Sequence, residues 1–186
     1  MKKLLITLIM SLLVLPTFAE EDYRKIYQEL SVPSFAYLHG VDPKHFFENK
    51  DASYSVYPLL RLSSPLYFKS VTIKPGYYDL TPREYKGDYY ILFKQNGLVL
   101  HILPVYKKEL VPINFYNTHL PKPKYKLTQK IGNAIQRGFG KIVKSAKRKP
   151  LAKTYIEAND VADNFVVLVV YYDEFRYYIL TRSVKM

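Results

Sequence analysis

The sequence predicts a mainly β fold: antiparallel hairpins forming a small sandwich or barrel-like α+β domain, with short N-terminal helices and one basic amphipathic helix. Three observations carry this. Nineteen tyrosines and ten phenylalanines stand against no tryptophan, and aromatic enrichment suits pleated, half-buried surfaces. Turn signals recur between short apolar runs. One late run, Phe165 to Tyr172, is continuously apolar and rich in valine, as a strand buried on both faces must be.

The first 19 residues read as a secretory signal peptide. Lys2 and Lys3 give a positive start, Leu4 to Leu15 is apolar apart from Thr7 and Ser11, and Thr17-Phe18-Ala19 offers small residues before a cut. That apolar run is too short to span a bilayer, which takes about 20 residues. The expected product is one β-rich domain over residues 20–186, exported to the periplasm or the medium. The chain has no cysteine, which excludes disulfides, thiolate metal sites and a cysteine nucleophile.

After the expected cut, Asp22 caps a helix over Tyr23 to Leu30, with Tyr23, Ile26, Tyr27 and Leu30 on one face. Ser31 to Leu38 reads as irregular. Asp42-Pro43 has the pattern of an N-cap followed by proline at the first helical position, opening one or two turns through Glu48. Ser53 to Leu62 reads as a strand in which Pro58 marks an edge or bulge. Tyr67 to Lys74 is expected to turn at Pro75-Gly76 and to pair with Tyr77 to Leu80, followed by a loop over Thr81 to Gly87. Asn96-Gly97 between Asp88–Lys94 and Leu98–Pro104 is the strongest hairpin signal, since both residues accept the positive φ of a type I′ turn. Leu110 to Tyr116 is expected as a further short strand. Phe165 to Tyr172, the Asp173-Glu174 turn and Arg176 to Val184 make the last hairpin.

The net charge of +12 is concentrated. Eleven basic residues lie from Lys122 to Lys153, and no acid occurs between Glu109 and Glu157. Outside that stretch and the signal, 15 basic and 16 acidic residues nearly cancel. A linker and helix are expected at 121–149. From Leu127 to Arg148, Leu127, Ile131, Ile135, Phe139, Ile142, Val143 and Ala146 advance at helical spacing, and Pro150 ends the pattern. Lys130, Arg137, Lys141, Lys144, Lys147 and Arg148 fill the opposite arc. These six are the candidate contacts for an anionic surface, either a membrane or an envelope polymer. The plain alternative is a helix whose apolar stripe packs on the sheet. A protein partner is a further option, and nucleic acid ranks lower because no recognised binding motif is present.

Catalytic signals are sparse. His39-Gly-Val-Asp42-Pro-Lys-His45 places two imidazoles and a carboxylate within seven residues, but the spacing matches no standard metal motif. Asp79, Glu84 and Asp88 near Arg83 form a second, weaker candidate as an acid pair. No nucleophile elbow, Walker or dinucleotide pattern occurs, and no cofactor or metal is implied. The function expected is a non-enzymatic exported binding protein. The alternatives are a small exported hydrolase using His39, Asp42 and His45, and a structural subunit joining partners through β edges.

Overall fold

The computed structural model describes residues 21–45, 56–121 and 152–185. The expected signal peptide and the basic helix lie outside these residues. About half of the described chain is strand, arranged in two antiparallel sheets with no closed barrel.

The N-terminal helix α1 (Tyr23–Glu29) forms as expected: the Asp22 carboxylate accepts a hydrogen bond from the Lys25 amide at 3.1 Å. The first sheet contains β1 (Leu59–Leu62), β4 (Gly76–Tyr85), β5 (Asp88–Gln95) and β6 (Leu98–Pro104), ordered β1-β4-β5-β6. The second runs β3 (Val71–Ile73), β2 (Leu66–Phe68), β10 (Phe175–Arg182), β9 (Phe165–Tyr172), β8 (Thr154–Asp160). A further strand, β7 (Lys107–Leu110), pairs with the early part of β10, and a short helix α2 (Phe115–His119) follows it.

Strand β9 is central and buried on both faces, as its unbroken apolar run predicts. Val166, Leu168 and Val170 join Leu80, Ile91, Phe93 and Leu103 of the first sheet in one core cluster. Phe165, Val167, Val169 and Tyr171 point the other way and meet Tyr23, Ile26, Tyr27 and Leu30 of the α1 region together with Phe115 and Tyr116. Each such fully buried aliphatic side chain contributes about 1.5–3 kcal/mol. The Asn96-Gly97 hairpin also forms as expected, with φ values of 50° and 79°.

Four expectations are corrected. Tyr67 to Lys74 is two strands, not one, because the chain reverses at Lys69, where φ is 50°. The Pro75-Gly76 segment does not close a hairpin. It carries the chain from the second sheet to the first, where β4 pairs with β1 and β5. Thr81 to Gly87 is not a loop: β4 continues through Pro82 to Tyr85 and turns at Lys86-Gly87. The strand expected at Leu110 to Tyr116 lies earlier, at Lys107–Leu110, where β10 supplies its partner; Pro112 and α2 occupy the rest. Strand β8 was not foreseen.

Candidate functional site

Side chains alternate across a strand, so Phe93 enters the core while Lys94 projects from the opposite face of the first sheet. Thr81, Arg83 and Leu92 share that face by register. The chain from Phe35 to His45, together with Tyr57, lies over it. Phe35 stacks on Tyr85 at 4.2 Å and meets the Tyr90 ring edge-on at 5.0 Å. An antiparallel bridge joins Val41 to Leu98. Gly40 makes this approach feasible: its φ is +70°, and a Cβ there would sit 3.3 Å from the Val99 carbonyl oxygen.

This covering chain delivers Asp42 onto two cations. One oxygen, Oδ2, accepts from Lys94 Nζ at 2.5 Å and from Arg83 Nη2 at 2.7 Å. The other, Oδ1, caps the turn that begins at Pro43 by accepting the Lys44 amide at 3.1 Å. The Lys94 and Asp42 side chains are 0% and 1% exposed. Burial alone would raise the Asp42 pKa, but hydrogen bonds and charge from Arg83 and Lys94 outweigh it and hold the carboxyl below its usual range. The Tyr57 hydroxyl accepts from Arg83 Nη2 at 3.1 Å, and both cations lie over its ring. His45 stacks on Tyr57 and brings Nδ1 to 3.5 Å from Lys94 Nζ. Burial and the Lys94 ammonium lower its pKa.

Of the trio expected from sequence, Asp42 and His45 therefore meet, through Lys94. His39 stands exposed on the turn at φ 52° and takes no part. The second candidate is not assembled either: Arg83 is turned to Asp42, while Glu84 and Asp88 are exposed. Among the described residues, no group of three or more His, Asp or Glu side chains is placed to hold a metal ion. The Asp42 carboxylate, shared by two cations, is a poor proton acceptor. The cluster's chemistry is that of an ionic lock fastening the covering chain to the sheet. Lys94 is the member missed from sequence, and Arg83, grouped there with Asp79, Glu84 and Asp88, belongs instead to Asp42. The one local hint was a lysine inside the apolar run Tyr89–Gln95, and its partner lies 52 residues away.

The six candidate basic residues, Lys130, Arg137, Lys141, Lys144, Lys147 and Arg148, lie outside the described residues. The places where the chain leaves and re-enters are described, and they adjoin. Tyr116 donates its hydroxyl to the Asp173 carbonyl at 2.8 Å, and the Asp173 amide donates to the Lys153 carbonyl at 2.8 Å. Lys153 Nζ also lies 5.6 Å from the Tyr116 ring centre. Phe115 stacks between Tyr171 and His119 beside them, at 4.2 and 4.1 Å. Among the described residues no helix is long and apolar enough to cross a membrane.

No known protein family, curated protein or solved structure matches this chain.

Proposed function

We propose that this chain is an exported, non-enzymatic binding protein of the cell envelope or surrounding medium. In this reading the two sheets are the layers of a small sandwich in a single domain. The basic segment forms an amphipathic helix that presents Lys130, Arg137, Lys141, Lys144, Lys147 and Arg148 to an anionic membrane or envelope polymer. The observation that carries it is the confinement of the excess charge to residues 122–153. Cations gathered in one stretch give a directed field, which steers polyanions where scattered charge does not. The adjoining ends at Asp173 support the same reading, since they let the segment act as an insertion on a sheet-built mount.

The hydrolase alternative has less support, because Asp42 is engaged by Arg83 and Lys94. Sedimentation of residues 20–186 with vesicles tests the proposal. At low salt the protein is expected to pellet with phosphatidylglycerol-containing vesicles and to stay in solution with neutral phosphatidylcholine ones. Changing the six residues to glutamine is expected to abolish the difference. Equal recovery with both vesicle types would sink the membrane form of the idea, and an unchanged glutamine variant would sink the assignment of these residues.

A further inference from the structure

Strand β7 places Lys107, Lys108 and Glu109 in succession, and alternation sends the middle residue to the face opposite its neighbours. Lys107 and Glu109 pair with each other at 3.1 Å. Lys108 instead stands directly across from Tyr177, a member of the core between the sheets. Its ammonium lies 3.8 Å from the centre of the Tyr89 ring, 4.0 Å from that of Phe175 and 5.9 Å from that of Tyr177. Tyr89 comes from β5 of the first sheet, and the other two rings from β10 of the second. Ring centres are 6.0 Å apart for Tyr89 and Tyr177 and 6.5 Å apart for Phe175 and Tyr177. Tyr89 and Phe175 are half-buried and pack against the intersheet core. The three rings thus make a cage around a cation at the margin of that core.

The resident cation is a poor match for the cage. A lysine ammonium is strongly hydrated and carries three N–H donors. Among the described residues, the Lys108 side chain makes no hydrogen bond or ion pair. Ring faces attract its charge, but they suit a cation with methyl groups in place of N–H better. Lys108 is only partly buried, on a strand that pairs with β10 alone among the described residues. It can therefore turn out to water without breaking a hydrogen bond. Doing so vacates a nitrogen and a four-carbon stem, as many heavy atoms as a tetramethylammonium ion. A carboxylate is also at hand. Glu84 stands directly across from Tyr89, exposed and without an ion pair among the described residues. Its charge adds to burial and to Tyr89 in raising the Tyr177 pKa.

We propose that Tyr89, Phe175 and Tyr177 form a binding site for a quaternary ammonium group, with Glu84 as neighbouring counter-charge and Lys108 as a displaceable internal occupant. The site goes beyond the anionic-surface reading and does not depend on it. Such a group is carried by free choline and by phosphatidylcholine headgroups, and the chemistry shared by both is a trimethylammonium.

Saturation-transfer NMR of the protein with choline is expected to show transfer to the methyl protons that titrates to a plateau. The uncharged carbon analogue, with tert-butyl in place of trimethylammonium, is expected to show little. Tyr89→Leu and Phe175→Leu are each expected to weaken choline binding about tenfold, the loss of one ring face from the cation. Glu84→Gln, an exposed change that leaves the rings in place, is expected to weaken it by a smaller factor. Lys108→Ala is expected to tighten it, because the competing occupant is gone. Far-UV circular dichroism checks that each variant keeps its fold. Phosphatidylcholine vesicles separate the two sources. Choline binding by a protein that stays in solution with them assigns the site to a free solute, and pelleting that Tyr89→Leu abolishes assigns it to the headgroup. Absence of transfer to choline overturns the proposal, as does equal transfer to the uncharged analogue. Binding that appears only in Lys108→Ala also overturns it, since the lysine then fills the cage permanently.

Discussion

Asp42 shows how much can hang on one side chain. Its carboxylate is the common partner of two cations and the cap of the following turn. Asp42→Asn removes the negative charge and leaves the positive ones buried, a loss on the order of 3–5 kcal/mol for such sites. Urea unfolding monitored by circular dichroism is expected to show a lowered midpoint with an unchanged slope. Thr81 carries the opposite lesson from the same face. It is wholly buried, and among the described residues its hydroxyl oxygen has no hydrogen-bond partner. Thr81→Val keeps the shape and deletes a polar group that pays desolvation without return, so stability is expected to rise by about 1 kcal/mol. In Thr181, also buried, the hydroxyl donates to the Val166 carbonyl at 3.0 Å. The same valine change there is expected to lower stability, which makes it the control in the same unfolding assay.

At the level of elements, legibility followed local chemistry. The β9 run and the Asn96-Gly97 hairpin are visible because burial and turn geometry are written into consecutive residues. Helix α1 is visible because a cap and a one-face pattern coincide. The β4–β5 hairpin was obscured by its turn, in which Lys86 adopts φ 54° where asparagine would be the natural signal, and by Pro82 within the strand. Lys86→Asn is expected to raise stability by roughly 0.5 kcal/mol, since asparagine tolerates the left-handed region better. An unaltered or lowered thermal midpoint would show that the turn is not where the strain sits. Strands β7 and β8 were hidden for a different reason. Their residues include Lys107, Glu109, Glu157 and Asp160, charges that suit sheet margins and hide the alternation of a half-buried strand. Glu109 is held by Lys107 and Arg176 at 3.1 and 2.7 Å. Such partners are tertiary, as is Asp42 for Lys94, and no pattern within either strand announces them.

The molecule as a whole should have a stability plateau bounded on both sides by protons. Burial raises the carboxyl pKa of Asp42 and Glu109, but their cationic and hydrogen-bonding partners pull both below the ordinary range. Their contribution is present above the unfolded carboxylate value of about 4 and is lost as pH falls through the folded one. His45 and His101 are kept neutral chiefly by burial, so stability begins to decline as pH falls through about 6.5, where the unfolded chain takes up protons. The alkaline side belongs to tyrosine. Burial pushes Tyr116, Tyr171, Tyr177 and Tyr178 up to about 12. For a group that stays protonated in the fold, the sign reverses. The contribution holds below the unfolded value of about 10 and is lost as pH climbs toward the folded one. Thermal midpoints measured from pH 3 to 12, with tyrosinate absorbance followed in parallel, are expected to trace this asymmetric dome. A midpoint unaffected between pH 10 and 12 would contradict the burial of these rings.

The junction at Asp173 has a consequence for how this chain can vary. Tyr116 and Lys153 are brought side by side by backbone and hydroxyl groups, and β8 then re-enters by pairing along β9. The entropy of closing the intervening stretch grows only with the logarithm of its length, about 0.6 kcal/mol per doubling. Lengthening, shortening or rewriting the residues between the two anchors therefore places little load on the sheets. The fold can hold its geometry while the sequence of that stretch is free to diversify.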